Sequence, residues 1–177
     1  MKAGCGSWLL VVIASVPMLG VPVPSEADSR QGCQFQGSWF GFNTVSGYAD
    51  WMSAAEGAGH FGNYTLDVVV DAATLKALFP YAEPERHSIF RGNWQRVDGN
   101  TFEITVIAIV YDSSDEPVGI AQINARDTLD STCNTMYIEP ELKLYLPNQS
   151  PFEEDPFLEM PLTPHYGHRM SVDPYTE

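Results

Sequence analysis

Apolar residues recur at every second position through much of the chain, and this period limits what it can fold into. Across residues 101–111, Phe102, Ile104, Val106, Ala108 and Val110 share one face. Thr101, Glu103 and Thr105 begin the other face, which turns apolar at Ile107 and Ile109. Residues 135–146 alternate more cleanly, with Met136, Ile138, Leu142, Leu144 and Leu146 against Tyr137, Glu139, Glu141 and Lys143. Residues 63–71 do likewise, with Tyr64, Leu66, Val68 and Val70 opposite Thr65, Asp67 and Asp71. Side chains of a strand point alternately to two faces, so the pattern predicts strands with one face buried.

The connectors agree. Asp98-Gly99-Asn100 separates residues 88–97 from 101–111, and a Gly-containing loop of that length marks a hairpin. Residues 112–117 (DSSDEP) and 130–134 (DSTCN) join the next two pairs, so four strands over 88–146 form an antiparallel meander. Two further strands are expected at 36–44 and 62–71. Two short segments read as helical, 48–58 and 72–79, the second opening after Asp71 as N-cap and stopping at Pro80. Closing a meander removes its exposed edges. The expected fold is therefore all-β, a small antiparallel up-and-down barrel. The alternative is an α+β cone-shaped sheet covered by the short helices.

The ends differ in texture. Lys2 precedes an almost wholly apolar run, 8–23, broken by Pro17 and Pro22, and Ser25-Glu26-Ala27 follows. That is the grammar of a secretory signal peptide, expected to be cleaved after Ala27, and the run is too short and Pro-broken for a membrane anchor. The expected organisation is a signal at 1–27, a barrel core at 28–146 and an acidic Pro-rich strap at 147–177. Pro147, Pro151, Pro156, Pro161 and Pro164 forbid a central strand in the strap, while residues 165–172 are candidates for a barrel-closing last strand. Of three Cys, Cys5 leaves with the signal, so Cys33 and Cys133 are expected to form one disulfide in an oxidising compartment. The chain carries 9 Lys+Arg against 23 Asp+Glu, a net charge of -14. That balance excludes nucleic acid and anionic membrane surfaces as partners, since both need clustered cations.

Two Gly-x-Trp units occur, Gly37-Ser38-Trp39 and Gly92-Asn93-Trp94. The second begins a longer pattern through Asn100-Thr101-Phe102, Tyr111-Asp112, Gly119 and Thr128-Leu129-Asp130, which ends in Tyr166-Gly167-His168-Arg169-Met170. Together these resemble small secreted lipocalin-like (calycin-type) β-barrel proteins, mostly of unassigned activity. The resemblance implies a cavity suited to small apolar molecules. It also implies that Trp39 closes one barrel end with Arg169 lying across its ring, a structural cation–π contact of about 0.5–2 kcal/mol. The Pro-rich insert before His165 departs from the pattern and leaves the pairing of the last strand open.

Binding sites in barrels are mostly apolar with a few placed polar groups. Gln122, Asn124 and Arg126 alternate with Ala121, Ile123 and Ala125. Outward, they form an ordinary solvated face; inward, they supply donors to a ligand. They are the polar lumen candidates, with Phe90, Trp94, Phe102 and Tyr111 as apolar ones that core packing explains equally well. His165-x-x-His168 near Glu159 is a weak metal pattern, because strand spacing puts the rings on opposite faces. His60, His87, Asp67 and Asp127 read as surface groups. No catalytic or cofactor fingerprint is present, so no cofactor is expected. Asn63-Tyr64-Thr65 and Asn148-Gln149-Ser150 fit the glycosylation triplet.

The expected function is a secreted barrel that binds or shields a small apolar molecule. One alternative is an enzyme using the barrel as a chamber for isomerase, cyclase or dehydratase chemistry on a lipid-like or polyketide-like substrate. Such an enzyme needs a buried ionisable group in an open pocket. The other is a module that docks a protein partner through Phe152 to Pro164.

Overall fold

The computed structural model describes residues 32–43 and 48–171. The expected signal segment lies outside these residues. The described chain runs β1 (Gly37–Asn43), β2 (Tyr48–Ala58), β3 (Phe61–Val68), α1 (Ala72–Leu78), β4 (Pro84–His87), β5 (Phe90–Asp98), β6 (Thr101–Asp112), β7 (Pro117–Leu129), β8 (Thr135–Tyr145), β9 (Leu158–Pro161) and β10 (His165–Arg169). Strands β1, β2, β3, β5, β6, β7 and β8 pair in that order, all antiparallel. β10 then pairs with β8 through Tyr166↔Tyr137 and with β1 through Trp39↔Arg169. The result is a closed antiparallel barrel of eight strands, so no α+β sheet is formed.

Two departures from the sequence reading have plain causes. Residues 48–58 are strand β2 and not a helix. Trp51, Ser53 and Ala55 are all buried, and β1 and β3 supply backbone partners on both sides. The Ala, Met and Glu content that favours a helix is overridden by that ladder. The strand expected at 88–97 forms as β5, and a further short strand precedes it: β4 pairs with β6 at Val110–Asp112, β5 pairs with it at Thr101–Ile107, and the chain steps between them at Ser88, whose N–H donates to the Ile109 carbonyl.

The strap adds two strands along β8, of which β9 is an edge and β10 closes the barrel onto β1. β9 pairs with β8 at Glu141–Leu144 and β10 pairs with it at Thr135–Ile138. Proline cannot donate to a ladder, and Pro161 ends an outer strand while Pro164 falls in the gap. The far ends of β6, β7 and β8 are thus flanked by β4 and β9 and extend past the closed barrel.

That extension has its own apolar filling. Asp71 caps α1 by accepting from the Thr74 N–H at 2.8 Å, and the helix buries Leu75. Fully buried Phe79 follows the helix and lies where a side chain on Gly119 would be, 2.2 Å from a Cβ placed there. Tyr81 and Phe157 pack edge-on around it, with ring centres 6.2 and 5.9 Å from that of Phe79.

The opposite end is sealed by the segment before β1. Phe35, fully buried, enters the barrel and stacks on Phe102 at 4.4 Å and Tyr64 at 5.7 Å, with Trp94 edge-on at 5.3 Å. Cys33 and Cys133 form the disulfide, with Cα atoms 5.2 Å apart. The Cys33 N–H donates to Asn100 Oδ1 at 2.7 Å, and Arg96 donates to the Cys33 carbonyl at 2.6 Å. Arg169 completes the seal. Its guanidinium lies 4.2 Å over the Trp39 ring and donates to the carbonyls of Cys133, Gln36 and Gln34.

Candidate functional site

Between the Phe35 seal and the far end, the barrel keeps a cavity of about 190 Å³. Its position follows from side-chain size. Near the seal the inward residues are Trp39, Trp94 and Phe102, which with Phe35 fill the lumen. Further along, the walls are Leu66 and Val68 of β3, Ile104 and Val106 of β6, Ile123 and Ala125 of β7, and Ile138 and Pro140 of β8. These are shorter, and they leave space. Exposed Val69 and partly exposed Asp50, Leu162 and His165 border the cavity at its solvent end.

Trp51 forms another wall. Its indole lies over two glycines: a Cβ on Gly41 would sit 1.8 Å from Trp51 Nε1, and one on Gly167 would sit 2.7 Å from the far edge of the ring. Only residues without a side chain let the ring lie flat against β1 and β10. Trp51 also meets His165 edge-on, with ring centres 5.8 Å apart.

Three polar groups sit among these apolar walls. Tyr64 donates its hydroxyl hydrogen to Ser53 Oγ at 2.7 Å, both buried on neighbouring strands. Burial, with the nearby Asp127 charge adding to it, pushes the Tyr64 phenol far above its ordinary range, so it stays neutral. Asp127 is only 1% exposed and borders the cavity, and its Oδ1 has no hydrogen-bond partner among the described residues. Burial raises its pKa well above the usual carboxylate value. A buried polar atom without a partner costs about 1–3 kcal/mol, so such a group calls for an explanation in the site it faces.

Asp127 is inside because β7 alternates. Ala121, Ile123, Ala125, Asp127 and Leu129 share the inward face, and Asp127 stands in register between Phe102 of β6 and Ile138 of β8, both buried. The sequence carried the signal, since Asp127 continues an apolar every-second-residue series. Its charge led to the opposite reading, a surface carboxylate, which the structure corrects.

None of the seven sequence-derived lumen candidates borders this cavity. Phe90, Trp94 and Phe102 are inside but packed in the core: Phe90 beside His87 with ring centres 5.4 Å apart, Trp94 and Phe102 against Phe35. The Trp94 indole donates to the Glu56 carbonyl at 3.0 Å. Tyr111 is partly buried under the Arg86 guanidinium, 4.4 Å from its ring centre. Gln122, Asn124 and Arg126 stand on the outer face of β7, in an open polar groove with Glu103, Glu139 and Glu141. There Gln122 donates to Asn124 at 2.9 Å, and Arg126 pairs with Glu103 at 3.2 Å. Closure of the barrel puts the apolar face inward, and the polar face of β7 with it outward.

His165 and His168 fall on opposite sides of β10, His165 at the cavity and exposed His168 beside Phe40 with ring centres 5.9 Å apart. Among the described residues no group of three His, Cys, Asp or Glu side chains is placed to hold a metal ion. His87 does not reach the cavity; its Nδ1 lies 2.7 Å from the Ser88 carbonyl. An apolar chamber with one buried acid can hold a small molecule by its apolar body and fix it by one polar group. No protein-family model matches the chain, and neither a curated protein nor a solved structure is similar to it at a significant level.

Proposed function

We propose that this chain is a secreted, lipocalin-like barrel that binds a small, mostly apolar molecule in its lumen. One observation carries the reading: a cavity of about 190 Å³ with aliphatic walls, sealed at one end by Phe35 and bordered by partly exposed residues at the other. An apolar cavity of about 150 Å³ takes up benzene, so this one suits a body of about 6–10 non-hydrogen atoms. The acidic surface then serves solubility, and the disulfide suits an oxidising compartment.

Native mass spectrometry of protein purified from its natural host tests this. The expected result is a retained small-molecule mass that disappears in Ala125→Phe, where the added ring fills the lumen. A wild-type protein free of any bound mass, which also takes up no small aromatic probe, would sink the proposal.

A second reading, the barrel as a reaction chamber, is favoured by Asp127. A buried carboxyl with a raised pKa that borders a cavity is a candidate for proton transfer. Its test is exchange of the α-hydrogens of cyclohexanone in D2O, followed by NMR. Exchange catalysed by wild type and lost in Asp127→Asn supports it; equal exchange by both removes it.

A further inference from the structure

We propose that the lumen selects small hydrophobic amines, holding the ammonium group on the Asp127 carboxylate at the inner wall and the apolar body among Leu66, Ile104, Val106 and Ile123. This rests on the reading of the barrel as a small-molecule binder and names its ligand class.

The argument begins with what the cavity lacks. Its lining includes no Lys or Arg, while two of its residues are acids, buried Asp127 and partly exposed Asp50 at the solvent end. An anionic ligand would therefore meet no Lys or Arg to pair with, and a cation is drawn in by Asp50 and by a chain of net charge -14. The remaining polar groups narrow the choice further. The Tyr64 hydroxyl hydrogen is already given to Ser53, and the Trp51 N–H lies over Gly41 of β1. Among the described residues two buried atoms of the residues bordering this space lack a hydrogen-bond partner, the donor Trp51 Nε1 and the acceptor Asp127 Oδ1, and of these Asp127 is the group that can carry a charge. A carboxylate has acceptor positions on both oxygens, and an ammonium brings three donors, so one ligand group can satisfy it. Charge-assisted bonds of this kind are about twice as strong as neutral ones. The rings of Trp51 and Tyr64 border the same space, and aromatic faces attract cations.

The proton balance follows. Burial raises the Asp127 pKa and so favours the protonated carboxyl in the empty lumen. When an ammonium ion binds, the carboxylic acid gives its proton to solvent, and the carboxylate so formed accepts a charge-assisted hydrogen bond from the ammonium. One proton leaves for each amine bound. The other titratable groups bordering this space are Tyr64 from β3, Asp50 from β2 and His165 from β10.

The test is calorimetric titration of the purified full chain with benzylammonium, benzyl alcohol and benzoate near neutral pH. These probes share one apolar body and differ in the group offered to Asp127. The expected result is benzylammonium binding at least about tenfold tighter than benzyl alcohol, with benzoate weakest. The amine should also release a proton, read as a binding heat that depends on the buffer's ionisation enthalpy. In Asp127→Asn the amine's advantage should vanish while benzyl alcohol still binds.

Benzyl alcohol binding as tightly as the amine, or amine binding unchanged in Asp127→Asn, overturns the amine selection and leaves the small-molecule reading standing. Failure of all three probes to bind wild type overturns both. The buffer dependence is measured on wild type alone, so a variant that does not fold leaves the proposal open to refutation by amine binding without proton release.

Discussion

The guanidinium carbon of Arg169 lies 4.2 Å from the centre of the Trp39 ring, so the last strand of the barrel is clasped to the first. The same guanidinium donates to Cys133 O at 2.9 Å, Gln36 O at 2.5 Å and Gln34 O at 2.6 Å. One side chain thus ties the sealing segment, the β7–β8 turn and strand β10 together. Replacing it leaves three carbonyls short of a donor and uncovers the indole. Arg169→Ala should cost about 2–4 kcal/mol, measured by urea denaturation. Arg169→Lys should recover less than half of that, because an ammonium lacks the planar fork that reaches three acceptors while stacking on a ring. Full rescue by lysine would show that charge alone matters.

The disulfide spans a sequence separation of 100 residues and anchors the segment that carries Phe35. Constraining so long a loop in the unfolded chain is worth about 2–5 kcal/mol. Cys33→Ser with Cys133→Ser should lose that much stability while keeping the strand signal in circular dichroism. A stability equal to wild type would mean that Arg169, Arg96 and the Phe35 packing hold the segment unaided.

Two glycines are seats for aromatic rings. A Cβ on Gly41 would meet the Trp51 indole at 1.8 Å, and one on Gly119 would meet Phe79 at 2.2 Å. Each ring must shift to admit a methyl group, and overpacking of this kind costs about 1–3 kcal/mol. The two substitutions should differ in effect. Gly41→Ala moves a cavity wall and should weaken uptake of a small aromatic probe, whereas Gly119→Ala acts in the extension and should leave uptake unchanged. Equal loss of probe binding in both would contradict the separation of the two ends.

Asp127 sets a pH dependence of known sign. Its pKa in the folded chain is raised by burial above the ~3.9 of an unfolded Asp. Between those two values the folded state holds the proton that the unfolded state has released. Stability is therefore intact below pH ~4 and falls as pH rises, by up to about 1.4 kcal/mol per pH unit, until the folded pKa is passed. Asp127→Asn removes this slope, so its stability relative to wild type should grow from pH ~4 upward. Urea midpoints across that range check it, and parallel curves for the two proteins would place Asp127 in contact with water. Tyr64, the titratable group coupled to it, stays neutral throughout.

Much of the architecture was legible before any fold was known. The alternation in β3, β6 and β8, the Asp98-Gly99-Asn100 turn and the Asp71 cap each depend on a few adjacent residues, and local sterics and hydrogen bonding suffice to read them. Segment 48–58 misled because its composition favours a helix, while its conformation is decided by ladders from β1 and β3. The site was harder still. Phe90, Trp94 and Phe102 were legible as inward-facing, but whether an inward aromatic fills the core or borders a space depends on what it meets. For Trp94 and Phe102 that is Phe35, arriving from a segment more than fifty residues earlier in the chain.

What the sequence determined by itself is therefore the strand periodicity and the meander order, with the pairing of Cys33 and Cys133 following from the expectation that Cys5 belongs to a signal segment. These follow from the two-residue repeat of an extended backbone and from simple counting. Only the tertiary structure decided that Gln122, Asn124 and Arg126 face out while Asp127 faces in, and where the lumen stays open. The face of β7 is settled by register with β6 and β8. The cavity is the volume left over when side chains from several strands and one plug meet, a quantity that no single strand contains.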